Sequence, residues 1–332
     1  MSEIKRKISF PSGICTRVCL DFLEFMRSIG LKYEGVEVYR LRDICIHMNK
    51  NAVDMPVLSK DTVIDIAQRR DGEAQGTQLN RIRLLRKLAE YMVSMGFDAY
   101  IVPKNFAQKY KYDFKPYIFS REQISDISNT AGKLKYNPCS PYAHLVIPAI
   151  LRVFFGCGLR SAEARMIRNS HVDLDNGVLF IEKSKKNISR YVPMSQPLTE
   201  YLRNYADEMG FSTPSDAYFF PSSNGEPYHE KTLRDRFRKL LSEAGITVLN
   251  NGKLPRLHDA RHSFIVHSYK KLTGELGMDF YTALPIIAAY VGHTNINDTE
   301  RYIHLPAFDY SSITSAGSPV TDVCVPEVTF DA

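Results

Sequence analysis

The sequence predicts a mainly helical protein of two domains, with a small antiparallel β-sheet in the second. Three observations carry this. The chain has 332 residues, about twice the ~150 residues expected of one domain. Apolar residues recur at helical spacing through most of its length. The exceptions are two β-type runs, GVLFI at 177–181 and RYVPM at 190–194, separated by the polar stretch EKSKKNIS, which is the signature of a hairpin.

In the first hundred residues, Val18, Leu20, Phe22, Leu23, Phe25 and Met26 precede a stop at Gly30. Leu41, Ile44, Cys45 and Met48 form a second stripe, and Val63, Ile64 and Ile66 a third. The fourth helix is the clearest. Beginning near Thr77, it sets Leu79, Ile82, Leu85, Leu88, Ala89 and Met92 on one face and Arg81, Arg83, Arg86 and Lys87 on much of the rest. A basic helix face of this kind either meets nucleic acid or is merely solvated.

Residues 103–117 read as a basic linker in which Lys104, Lys109, Lys111 and Lys115 alternate with Phe106, Tyr110, Tyr112, Phe114 and Tyr117. Such interleaving can track a nucleic-acid backbone. The second domain starts near Ile118, with Ser120 and Gln123 spaced as a capping box. PYAHLVIPAILRVFFGCG is an apolar helix ended by Gly156 and Gly158, LRSAEARMI starts another, the hairpin follows, and helices resume through residue 304.

Hydrophobic residues make up 44% and charged residues 24%, the composition of a chain that folds in water. No apolar run approaches the ~18 residues a membrane span needs, and MSEIKRKISFPSG lacks a signal-peptide core; the expected location is the cytoplasm. The six cysteines, at 15, 19, 45, 139, 157 and 324, form no paired C-x-x-C knuckles and read as reduced thiols, Cys15 and Cys19 as core packing. The net charge is +6, yet residues 305–332 hold four carboxylates and no Lys or Arg, so the body carries about +10, as a polyanion-binding protein could. There is no Walker loop, no G-x-G-x-x-G, no H-E-x-x-H and no serine elbow, so ATP, NAD and metal cofactors have no motif here.

Four separated elements, taken together and in order, resemble the tyrosine recombinase (phage integrase) family. GLRSAEARMI resembles its first box and maps the first catalytic arginine onto Arg160, with Glu163 as its supporting carboxylate. FIEKSKKNISRYVPM resembles the strand-turn-strand that carries the catalytic lysine, here Lys185, with Lys183 and Lys186 as neighbours able to take the place. LPRLHDARHSFIVHSY resembles H-x-x-R-H-[ST]-F and maps onto His258 and Arg261, leaving His262 and His267 as scaffold. YVGHTNINDTERYIHL resembles the closing box, with His293 and the nucleophile Tyr302, which Asn297 and Glu300 would place on a short capped helix.

The resemblance implies an N-terminal SAM-like helical core-binding domain over 1–117 and a mixed α+β catalytic domain over 118–332. It implies site-specific strand exchange without cofactors, through a 3′-phosphotyrosine and a Holliday junction, by a homotetramer on paired half-sites in double-stranded DNA. The free protein would be a monomer, accessory DNA-bending proteins could assist, and the tail at 305–332 would dock on a neighbour or on its own domain. In that chemistry Arg160 and Arg261 hold the phosphate, His258 takes the phenol proton, His293 donates to the phosphate and Lys185 protonates the leaving 5′ oxygen. Integration or excision of a mobile element or phage is the expected role. Chromosome dimer resolution of the Xer kind, relaxation of the type IB topoisomerase kind and a non-catalytic DNA-binding regulator are the alternatives.

Overall fold

A computed structural model describes residues 8–106, 116–182, 188–211, 215–247, 254–293, 295 and 299. The chain divides into two compact units, Met1–Asp113 and Phe114–Ala332.

The first unit is built from α1 (Thr16–Ser28), α2 (Val36–Asn51), α3 (Lys60–Ala67) and α4 (Gln75–Ser94). On α1 the buried positions are Val18, Cys19, Phe22, Leu23 and Met26, spaced three and four apart so that they form one stripe. Leu20 lies at the stripe's edge, and Phe25 points away, 45% exposed. Gly30 stops the helix in the left-handed region at φ 81°, where a side chain would be strained. Cys15 and Cys19 are fully buried in the same core as Phe22, Leu41, Ile44, Cys45, Met48, Leu85 and Leu88. α3 buries Val63 and Ile66 and leaves Ile64 at the margin.

Helix α4 departs from the sequence reading at two points. It starts at Gln75, not Thr77, behind an Ala74 that offers no side-chain cap. Arg81, expected on the solvated basic face, is 3% exposed. Its Nε donates to the Ile66 carbonyl at 2.8 Å, Nη2 donates to the Gln68 carbonyl at 2.7 Å, and the guanidinium is paired with Glu73. A guanidinium has five donors in a fixed fork. Aimed at the C-terminus of α3, whose last carbonyls lack helical partners, it fastens α4 to α3 and leaves no donor face for a ligand.

The second unit opens with α5 (Arg121–Gly132), started by the reciprocal Ser120–Gln123 capping box. α6 (Ala143–Cys157) is apolar on nearly every face and forms the centre of the unit, with α5, α8 and α10 packed around it. It runs through Gly156 and ends only at Gly158, φ 59°; Gly156, read from sequence as a second stop, is an interior helical residue. The short α7 (Ser161–Arg165) follows, then β1 (Val172–Asp173), β2 (Val178–Ile181) and β3 (Arg190–Pro193), in the order β1-β2-β3, antiparallel throughout. The two long strands are those of the expected hairpin, and the two-residue β1 is an addition too short for a pattern to reveal. In the hairpin Ile181 stands opposite Arg190, and Leu179 opposite Val192.

α8 (Gln196–Glu208), α9 (Glu230–Glu243), α10 (Leu257–Lys270) and α11 (Phe280–Val291) complete the unit, with a π turn over Lys271–Glu275 between the last two. No helix among the described residues is long and apolar enough to cross a membrane.

Candidate active site

Two left-handed turns and a strand build the site. At Gly158 the left-handed turn closes α6, and a Cβ there would run into the Phe264 ring of α10, so the end of α6 packs on that ring where only glycine fits. At Gly292, φ 68°, α11 ends in the same way. Between them lies β3.

Arg160 stands at the N-cap of α7, and Glu163 three residues later answers it. The Glu163 carboxylate accepts the Arg160 backbone N–H at 3.0 Å and its Nη1 at 2.5 Å. Glu163 thus holds Arg160 at both its backbone and its side chain, from the third position of the short helix that Arg160 precedes. The Nη2 of Arg160 donates to the Gly292 carbonyl at 2.8 Å. Arg261, on the first turns of α10 and 1% exposed, donates Nη1 to the Gly158 carbonyl at 2.8 Å and Nη2 to the Val291 carbonyl at 2.7 Å. Its guanidinium is also 4.0 Å from Glu163. Helix ends leave carbonyls without helical partners, and here the two arginines satisfy those of α6 and α11. Residues more than a hundred positions apart are thereby fixed in one pocket.

His258 lies one turn before Arg261. Its ring meets His262 edge to face at 4.7 Å between centroids. His293 follows Gly292, and its Nδ1 is 2.7 Å from the Thr299 hydroxyl. Loss of solvent, then the charges of Arg261, Arg256 and Arg160, lower His258 to about 4 although the residue retains an exposed side. Loss of solvent followed by Arg261 and Arg160 brings His293 to about 3. Both rings are neutral at pH 7, so His258 is free to accept a proton there. Burial alone would raise Glu163, but Arg190 and then Arg160 outweigh it and hold the carboxyl at about 2.

Arg160, Glu163, His258, Arg261 and His293 thus come together. Lys185 and Tyr302 lie outside the described residues, as do Lys109 and Lys111 of the linker and the capping pair Asn297 and Glu300. Of the basic face on α4, Arg83 and Lys87 are exposed, while Arg86 binds the Val102 and Pro103 carbonyls at 2.8 Å each. His267 is a scaffold residue, its Nε2 2.8 Å from the Phe119 carbonyl.

Two residues of the site went unnoticed in the sequence. Arg190 forks onto Glu163, Nη2 to Oε2 at 3.0 Å and Nη1 to Oε1 at 3.2 Å. Asp259, buried and 3.8 Å from the Nε2 of His262, accepts the Arg256 backbone N–H at 2.7 Å and its Nη2 at 3.1 Å. The signal for Arg190 was its alternation with Val192, which puts a charge on the inward face of a strand.

The site dictates an acid response. His258, His262 and His293 have folded pKa values below the usual 6.5, with His262 down to about 2 by loss of solvent and then the His258 charge. Below pH 6.5 the unfolded chain takes up protons that the folded chain refuses, so stability falls with pH. The buried His262 forfeits up to about 1.4 kcal/mol per pH unit, and the part-exposed His258 contributes least because solvent screens it. Glu163 adds a second loss between about 4.5 and 2. The melting temperature, followed by circular dichroism, is expected to drop from pH 7 to pH 5 and more steeply below 4.5; a value at pH 5 equal to that at pH 7.5 would contradict the burial of neutral histidines.

Residues 119–307 match the phage integrase family. The chain is 29% identical over 287 residues to y4rE of Sinorhizobium fredii (strain NBRC 101917 / NGR234), a protein named for integrase/recombinase activity, covering 85% of this chain and 89% of that one. Among solved structures, XerH site-specific recombinase bound to a palindromic difH substrate superposes with a TM-score of 0.63 at 15% identity, over 93% of this chain and 97% of that one. A lambda integrase tetramer bound to a Holliday junction gives 0.59 at 14% identity, over 85% and 78%. At such identities the superpositions speak for the fold alone, whereas the family match spans more than half of the chain. The chain belongs to the phage integrase family, the tyrosine recombinases, and is a DNA breaking and rejoining enzyme.

Proposed function

We propose that the protein exchanges DNA strands at a specific site through a 3′-phosphotyrosine, acting as an integrase or excisionase for a mobile element or phage. The observation that carries the reading is the convergence of Arg160, Arg261, His258 and His293 at the ends of α6, α7 and α11. In this reading the Tyr302 oxygen attacks the scissile phosphorus, the P–O5′ bond breaks, His258 takes the phenol proton and Lys185 supplies one to the departing 5′ oxygen. Arg160, with Arg261 behind it, stabilises charge developing on the non-bridging oxygens, and His293 donates a hydrogen bond to them. The bond energy is retained in the protein link, so the reverse attack by a 5′ hydroxyl reseals the strand.

Residues 1–117 serve as the core-binding clamp. Arg83 and Lys87, exposed on α4, are its backbone contacts, with Lys109 and Lys111 continuing them along the linker; Arg81 is withdrawn from that set. XerH bound to its site and lambda integrase on a Holliday junction support a tetramer on paired half-sites for this chain too. Target sites are expected beside the gene, where footprinting would find them. The test of the chemistry is covalent capture on a nicked suicide duplex. A phosphotyrosyl peptide containing residue 302 is expected by mass spectrometry, with a free 5′ hydroxyl on the DNA; a 5′-linked adduct, or none, would reject the reading.

A further inference from the structure

The carboxylates of the site pose a problem of charge. Glu163 is buried and ionised beside Arg160 and 4.0 Å from Arg261, the two guanidinium groups assigned to the phosphate. A carboxylate left to these two alone would claim the field that the phosphate needs. It has a third partner. Arg190 enters from the first residue of β3, on the same inward face as Val192, with 9% of its side chain exposed. Both Nη atoms are engaged by the two oxygens of Glu163, and Nε donates to the Tyr290 carbonyl at 2.9 Å. A Cβ on Gly292 would lie 2.9 Å from its Nη1, so the glycine of the G-H pair leaves the room in which Arg190 sits. Arg256 answers Asp259 in the same pocket, so each buried carboxylate has an arginine of its own.

We infer that Arg190 is a positioning residue for cleavage: as the dedicated counter-ion of Glu163, it leaves the positive charge of Arg160 and Arg261 for the scissile phosphate. The inference rests on the phosphate-binding role given to those two arginines. Arg160, Arg190, Arg261 and Glu163 sum to +2. Arg190→Gln lowers the sum to +1, whereas adding Glu163→Gln restores +2 and keeps a side-chain oxygen to accept from Arg160. A structural latch predicts the opposite ranking, because a double loss cannot mend a broken contact.

The experiment is single-turnover cleavage of the suicide duplex at saturating DNA, well below the melting temperature of every variant, with DNA affinity measured alongside. Arg190→Gln is expected to slow cleavage by roughly 10- to 100-fold, the scale of one charge lost near the phosphate in a partly solvated site, with little change in affinity. The Arg190→Gln, Glu163→Gln double variant should return to within about fivefold of wild type, as should Arg190→Lys, which keeps the charge without the fork. A folded, DNA-bound double variant no faster than Arg190→Gln overturns the inference, as does a wild-type rate in Arg190→Gln itself. Should Arg190→Gln not fold, the double variant decides alone: a rate within about fivefold of wild type supports the inference and a slower one overturns it. Failure of the wild-type protein to form any adduct would instead sink the proposed function, a different result.

Discussion

Tyr302→Phe is expected to bind its DNA normally and to form no covalent adduct on a suicide duplex. Phenylalanine keeps the ring and removes only the oxygen that would bond to phosphorus, so binding has no reason to change. Removing a nucleophile from an otherwise intact site costs on the order of 10⁴- to 10⁶-fold, which for trapping means no band. The chain has 19 tyrosines, and one rival, on the helix that ends just before His293, is Tyr290. The structure disqualifies it. Its ring stacks on Phe264 at 5.3 Å, its hydroxyl donates to the Pro193 carbonyl at 2.6 Å, and loss of solvent raises its pKa well above 10. An adduct formed at undiminished rate by Tyr302→Phe would mean that another residue attacks.

The helical class and the hairpin were legible because each rests on a short-range rule, whereas the site residues were named only through the resemblance of four boxes to a family. Three- and four-residue spacing gives the stripes of α1 and α2, alternation gives β2 and β3, and a glycine capable of positive φ marks the end of α6. What escaped depends on contacts that spacing does not encode. Arg81 sits on α4 among other basic residues and looks solvated in one dimension, yet the end of α3 lies over it and claims its donors. Arg190 and Glu163 are 27 positions apart, and only the fold of the sheet against α7 reveals that they are a pair. Glu163 and Arg160 pair as the resemblance implies, but their relation is an N-cap residue donating two bonds, one from its backbone and one from its side chain, to the third residue of a five-residue helix. That difference matters chemically: the backbone of Arg160 is held by the same carboxylate that holds its side chain.

Arg160→Lys should follow from that arrangement as a loss of cleavage with little loss of fold. The arginine spans two acceptors at once, Glu163 through Nη1 at 2.5 Å and the Gly292 carbonyl through Nη2 at 2.8 Å. A planar fork does this without bending, and it carries further donors toward whatever occupies the pocket. A lysine ends in one nitrogen and has to choose among carboxylate, carbonyl and phosphate. The backbone N–H of residue 160 still caps onto Glu163, and 23% of the Arg160 side chain already faces solvent, so the helix and the unit around it have little to lose. Melting is expected within a few degrees of wild type, while cleavage falls by about 100-fold or more, the cost of one misplaced donor to a developing oxyanion. Arg261→Lys should differ in kind. That residue is 1% exposed and satisfies carbonyls from two helix ends, so a lysine there leaves a buried carbonyl without a donor, at about 1–3 kcal/mol, and lowers melting and cleavage together. If Arg160→Lys also melted early and Arg261→Lys did not, the division of labour between an open arginine and a buried one would be the wrong way round; if Arg160→Lys cleaved at the wild-type rate, its place at the phosphate would be lost.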